Sequence, residues 1–131
     1  MKYLLDTHIF IWIMEDSKKI SAKVKLQLKD SANEVFLSVA TIWEIAIKKS
    51  KGSLKIPKNI QDGVNKAGFK ILPIEVNHAL EIENLPFYKD HKDPFDRILI
   101  AQAKAENLTL ISSDPKIWKY YFLIPNSSFF S

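Results

Sequence analysis

The sequence contains no cysteine. That excludes a disulfide framework, a zinc–thiolate site and a cysteine nucleophile. It also fits a reducing compartment, so a cytoplasmic location is expected. No apolar run approaches the ~20 residues of a membrane-spanning helix, and no membrane partner is expected. The opening MKYLLDTHIFIWIM is apolar, but Asp6 and His8 interrupt it and no small-residue cleavage site follows. It is not read as a secretion signal. Internal repeats, linkers and low-complexity segments are also missing. The 131 residues are therefore expected to form a single domain, 1–131.

What is present is an ordinary globular composition, 47% hydrophobic, enough for a real core. The formal charge is +4 and the pI about 9.2, which suits a polyanionic partner such as nucleic acid. Charge of this size is common in proteins that bind none.

Along the chain, short apolar runs alternate with helical patterns. KYLLD (2–6), EVFLS (34–38), FKILPI (69–74) and LTLISSD (108–114) read as strands. THIFIWIME either extends the first strand or starts a helix. ISAKVKLQLKDSA reads as a short helix capped by Ser21, with apolar positions 20, 24, 26 and 28. SVATIWEIAIKKSKG reads as a helix capped by Ser38 and ended by Gly52, with lysines in its last turn. Val39, Ile42, Trp43 and Ala46 are expected to form its apolar face, with Glu44 beside Thr41, Ile47 and Lys48 on another. NIQDGVNKAG, VNHALEIENL and PFDRILIAQAKAEN read as further helices, PKIWKYY as a helical turn, and FLIP as a last edge strand. This alternation predicts an α/β fold: a mostly parallel sheet of four to five strands with helices on both faces. Right-handed crossovers then bring the loops after the strands to one edge.

Four acidic residues fall at that edge. Asp6 ends the first strand and Asp114 the fourth. Asp96 opens the helix leading into the fourth strand. Glu44 lies about two turns into the helix after the second. Each alone has a plain structural explanation. Asp6 and Asp114 suit turns or helix caps, Glu44 an i,i+4 pair with Lys48, and Asp96 the N3 position of a helix capped by Asp93 and started by Pro94. Together they repel unless protons or a cation neutralise them. An all-oxygen set without thiolate suits Mg²⁺, or Mn²⁺. Such a metal activates water and stabilises a phosphodiester transition state, and the basic remainder of the chain attracts phosphate. The joint reading is a metal-dependent nuclease.

The strings LLDTHIFIW, SVATIWEIAIK, HKDPFDRILIAQA and LISSDPKIW, in this order and spacing, resemble the PIN-domain family, most of all the VapC-type toxins of bacterial type II toxin–antitoxin modules. The resemblance covers nearly the whole chain. It implies a PIN-like (Rossmann-like) three-layer sandwich and a Mg²⁺-dependent endoribonuclease that hydrolyses RNA phosphodiester bonds. It also implies a homodimer and a cognate antitoxin protein. By position, Asp6, Glu44 and Asp96 match the family's first three acidic residues and Asp114 the more variable fourth. Asp6 and Asp96 are then expected as direct ligands, with Glu44 and Asp114 either binding through water or helping to position the attacking water. All four are expected as catalytic and metal-site residues.

Neighbouring residues carry two readings each. Arg97 either clamps a phosphate or orients the acidic cluster through a salt bridge. His8 is either a structural hydrogen-bonding group or a substrate contact. Ser112 and Thr7 are small hydroxyls placed to orient a metal-bound water. His91 is expected to be a solvated loop histidine rather than a phosphate contact, and Lys48, Lys49 and Lys51 a solvent-facing helix end rather than a track for RNA. Trp12 and the terminal NSSFFS are candidates for a partner surface. Two rival functions stay open. One is a non-cleaving PIN-like RNA-binding or assembly module. The other is a different Mg²⁺-dependent phosphohydrolase, which the Asp6-Thr7-His8 string disfavours because an aspartyl phosphatase wants Asp-x-Asp there.

Overall fold

The computed structural model describes residues 1–56 and 59–124. Four strands, β1 (Lys2–Leu5), β2 (Glu34–Ser38), β3 (Lys70–Leu72) and β4 (Thr109–Ile111), form one parallel sheet in the order β3-β2-β1-β4. Alternation along β1 explains the layers. Tyr3 and Leu5 join one buried cluster with Ile9, Phe10, Val24, Leu37 and Ile45. Leu4 joins the other, with Leu99, Ile100, Leu110, Ile117 and Tyr120. Successive side chains point to opposite faces of a strand, so a strand covered on both sides must be apolar throughout. The buried YLL of β1 and LI of β4 meet that requirement. Leu4 is fully buried, and its truncation to alanine would cost about 2–5 kcal/mol.

The helices are α1 (Thr7–Met14), α2 (Ala22–Lys29), α3 (Val39–Ser50), α4 (Ile60–Ala67), α5 (Val76–Glu81), α6 (Pro94–Glu106) and α7 (Pro115–Trp118). Their starts follow the sequence closely. Asp6, Ser21, Ser38, Asn59, Asp93 and Asp114 each accept a backbone N–H as caps of α1, α2, α3, α4, α6 and α7. Gly68, at φ 73°, closes α4 in the left-handed region, which costs glycine nothing. No helix among the described residues is long and apolar enough to cross a membrane.

One open reading is decided and two expectations change. THIFIWIM is a helix: the Asp6 carboxylate captures the Ile9 N–H at 2.8 Å and turns the chain at the end of β1. FLIP is not a strand. Tyr121–Leu123 form a 3-10 turn, and the Tyr121 hydroxyl donates to the Leu110 carbonyl. Pro125 and NSSFFS lie outside the described residues. Within α2 only Val24 is buried, and Leu26 is largely exposed.

Register sets the functional edge. Leu5 pairs with Ile111, so the next residues, Asp6 and Ser112, leave the sheet side by side. The Asp6 N–H donates to the Ile111 carbonyl at 3.0 Å, extending the ladder one residue past β1.

Candidate active site

Asp6 is the most buried of the four acids, 2% exposed. One carboxylate oxygen, Oδ1, caps α1 through the Ile9 N–H. The other, Oδ2, accepts a 2.5 Å hydrogen bond from Ser112 Oγ. Ser112 Oγ in turn accepts from the Asp114 N–H at 3.1 Å. One hydroxyl thus ties the end of β1 to the loop after β4. Burial raises the Asp6 pKa above the usual carboxylate range; the two hydrogen bonds and the charge of His8 oppose the rise, and Asp114 adds to it.

Asp96 stands at N3 of α6. Asp93 supplies the cap, accepting from the Phe95 and Asp96 N–H groups at 2.8 and 3.2 Å. The Asp96 side chain is therefore not needed for capping. Its Oδ2 meets His91 Nε2 at 3.0 Å. Burial pushes the Asp96 pKa up to about 6; the His91 contact opposes this, and the charges of Asp93 and Asp6 reinforce it.

Glu44 is 8% exposed. Thr7 Oγ1 donates to its Oε1 at 2.8 Å, and Lys48 Nζ lies 3.0 Å from its Oε2. Thr41 Oγ1 lies 3.2 Å from Thr7 Oγ1. With the Thr7 proton committed to Glu44, Thr41 is the donor of that pair. The buried face of α3 is Ala40, Thr41, Glu44 and Ile45, while Val39, Trp43 and Ala46 are exposed. The face expected from the sequence is thus rotated: Glu44 turns inward and Trp43 outward. Asp114 is half-buried and caps α7 by accepting from the Lys116 N–H at 2.9 Å.

A PIN domain family model matches residues 3–123. That span includes all four acids and all of the described strands but for Lys2, the first residue of β1.

The chain belongs to the PIN-domain family.

The fold agrees with solved structures. The chain is similar to one from VapBC2 of Rickettsia felis, solved bound to a DNA fragment from the promoter, with a TM-score of 0.70, 18% identity and 100% of both chains covered. It is similar to one from VapBC-1 of nontypeable Haemophilus influenzae, with a TM-score of 0.61, 21% identity, and 98% and 97% of the two chains covered. A chain of a toxin–antitoxin complex from Klebsiella pneumoniae gives a TM-score of 0.59 at 23% identity, with 96% and 95% covered. At these identities the likeness bears on the fold. No curated protein matches the sequence.

In this PIN domain, Asp6, Asp96 and Asp114 come from three separate segments and act on one another electrostatically: Asp6 senses Asp114, and Asp96 senses Asp6. Glu44 approaches Asp6 through Thr7, the residue next to it in the chain. The four are not drawn into a closed cage. Among the described residues no set of three or more His, Asp or Glu side chains is placed to hold a metal ion. The donor chemistry still fits Mg²⁺ or Mn²⁺, hard cations that take oxygen ligands; Mg²⁺ typically uses one or two carboxylates and keeps several waters. The raised pKa values of Asp6 and Asp96 carry the same message, since a nearby cation would relieve the cost of both charges.

The other sequence-derived candidates divide. Ser112 is in the site, bonded to Asp6. His8 is exposed on α1, close enough for its charge to act on Asp6, with its ring 6.4 Å from that of Trp12. Arg97 is placed differently from either expectation. It is 9% exposed and donates to the Pro86 carbonyl at 2.8 Å and the Tyr120 hydroxyl at 3.0 Å. This spends its Nη1 on the protein interior rather than on a carboxylate or an open phosphate site. His91, expected in solvent, is 4% exposed and bonded to Asp96. The histidine was visible in HKDPFD, but its burial depends on Tyr120, 29 residues away.

Proposed function

We propose that this PIN domain, a single domain over 1–131, is a Mg²⁺-dependent endoribonuclease and the toxin of a type II toxin–antitoxin module. What supports the reading is the pair Asp6 and Asp96 near the carboxyl edge of a parallel sheet, both carboxyls raised in pKa by burial first, with Asp114 adding to the rise at Asp6 and Asp6 to that at Asp96. Ligands of open α/β sheets bind beyond that edge. Asp6 and Asp96 would hold the cation, with Glu44 and Asp114 contacting its water shell. The bound cation would supply a nucleophilic water and neutralise charge on the phosphodiester. The chain's own groups do the positioning. Ser112 fixes the rotation of the Asp6 carboxylate, and Lys48 and Thr7 hold the Glu44 carboxylate in place. The net charge of +4 favours approach of an RNA backbone.

Homologous folds solved as VapBC complexes support a cognate antitoxin partner. The exposed apolar side chains of α3 and α5, Val39, Trp43, Val76 and Leu80, support a homodimer. A second reading, a non-cleaving RNA-binding module, draws on one observation: the described residues hold no ready-made cage of three donors. Cleavage of a mixed RNA pool separates the two. The nuclease reading expects cutting with Mg²⁺ that stops with EDTA and with Asp6→Asn, and end-sequencing then names the target. RNA binding without cutting supports the second reading.

A further inference from the structure

Asp96 is served by a run of polar groups that the fold does not need for capping. Arg97 Nη1 donates to Tyr120 Oη at 3.0 Å, Tyr120 Oη lies 3.4 Å from His91 Nδ1, and His91 Nε2 lies 3.0 Å from Asp96 Oδ2. Arginine can only donate, so the Tyr120 oxygen is the acceptor of that first bond. Its own proton is then free for His91 Nδ1. A neutral imidazole that accepts at Nδ1 carries its proton at Nε2, facing the carboxylate. Every donor in the chain therefore points the same way, from Arg97 toward Asp96.

The groups are also held in place. Arg97 is anchored by the Pro86 carbonyl. Tyr120 is fully buried, edge-on to both Tyr88, 5.1 Å between centroids, and His91, 5.5 Å. The His91 backbone closes a tight turn, its N–H donating to the Tyr88 carbonyl at 3.1 Å. A single carboxylate oxygen of Asp96 is thus fixed by a rigid, buried donor, which leaves the rest of the carboxylate to a ligand. Outer groups of this kind set ligand orientation, and their loss typically costs about 10–100-fold in metal affinity.

We propose that Arg97, Tyr120 and His91 are positioning residues that hold the Asp96 carboxylate, through the His91 Nε2–H, in the orientation that takes a divalent cation. The proposal rests on the reading of Asp96 as a metal ligand. It gives Arg97 and His91 a part in the site without either touching metal or RNA.

The test is Mn²⁺ affinity of the full chain by calorimetry, without RNA, beside RNA cleavage. His91→Phe removes the donor, His91→Gln replaces Nε2 with an amide nitrogen, and Tyr120→Phe deletes only the hydroxyl. Expected are a Mn²⁺ affinity about tenfold or more weaker for His91→Phe, a smaller loss for Tyr120→Phe, and recovery toward wild type for His91→Gln. If His91→Phe does not fold, the ordering of Tyr120→Phe and His91→Gln decides. Folded variants that bind Mn²⁺ like wild type overturn the positioning role and leave the nuclease reading intact. Wild type that binds Mn²⁺, with the expected variant order, but cuts no RNA retains the positioning role and sinks the nuclease reading. Wild type that binds no Mn²⁺ overturns both.

Discussion

The chemistry of the edge rests on individual side chains with two duties. Asp6 caps α1 with one oxygen and accepts from Ser112 with the other. Ser112→Ala removes that donor from a buried carboxylate and an acceptor from the Asp114 N–H. The expected loss is about 1.5–3 kcal/mol of stability, read as a lower urea midpoint at unchanged slope. Asp96 gives a pH prediction with a definite sign. In metal-free protein its pKa is about 6 against an ordinary 3.8, so the folded state keeps a proton that the unfolded chain releases. The associated stability is complete below pH ~4 and is lost as pH rises through ~6; Asp6 shifts in the same direction. Glu34, Glu81 and Asp90 shift downward beside lysines. Their contribution grows with pH and is nearly complete by pH ~5.5. EDTA-treated protein should therefore be less stable at pH 7.5 than at pH 5.5. Asp96→Asn should recover about 1 kcal/mol at pH 7.5, a figure reduced for partial exposure. Equal urea midpoints for the variant and wild type at pH 7.5 would contradict this. The types of these residues were legible in the sequence, while the partners of His91 and Arg97 were not. Both are committed to Tyr120, which is near them only in the folded chain.

The element scale shows what local pattern can and cannot specify. Several helix starts were readable because Asp-Pro and Ser caps act within two or three residues, whereas two strand ends were not: β3 stops at Leu72 and β4 at Ile111, short of the expected 74 and 114. Asp93 and Pro94 start α6 as expected, which delivers Asp96 to N3. Asp93→Ala should cost about 1–2 kcal/mol by loss of two backbone acceptances, and Asp93→Ser much less. Thermal melts of the two variants check the order, and a harmless Asp93→Ala would show the cap to be dispensable. The face of α3 was misread because an apolar stripe normally marks the buried side. Here Thr7, Thr41 and Lys48 compensate an inward Glu44 while Trp43 faces out. FLIP failed as a strand for another reason. A short apolar run has no period to read, and in the 3-10 turn Tyr121 and Leu123 pack partly buried on the core while Phe122 faces out.

At the scale of the whole molecule, the parallel sheet sets where chemistry happens and the outer helices set what meets it. Register alone places Asp6 beside Ser112. Trp43 packs edge-on to Phe95 at 4.9 Å and is still 57% exposed. If this face joins two copies, Trp43→Glu should shift the protein from dimer to monomer in sedimentation at micromolar concentration, with little change in fold. Unchanged sedimentation would place the dimer contact elsewhere. At the carboxyl edge of that sheet, the carboxylates of Asp6, Glu44, Asp96 and Asp114 are proposed to form a metal-dependent nuclease site. The most direct measurement is the rate of RNA cleavage across a Mg²⁺ titration, wild type beside Asp96→Asn. Expected are saturable Mg²⁺ dependence in wild type and a loss of more than about a hundredfold, about 2.7 kcal/mol in barrier, in the variant. Cleavage that ignores Mg²⁺, or that survives Asp96→Asn in full, would contradict the proposed site.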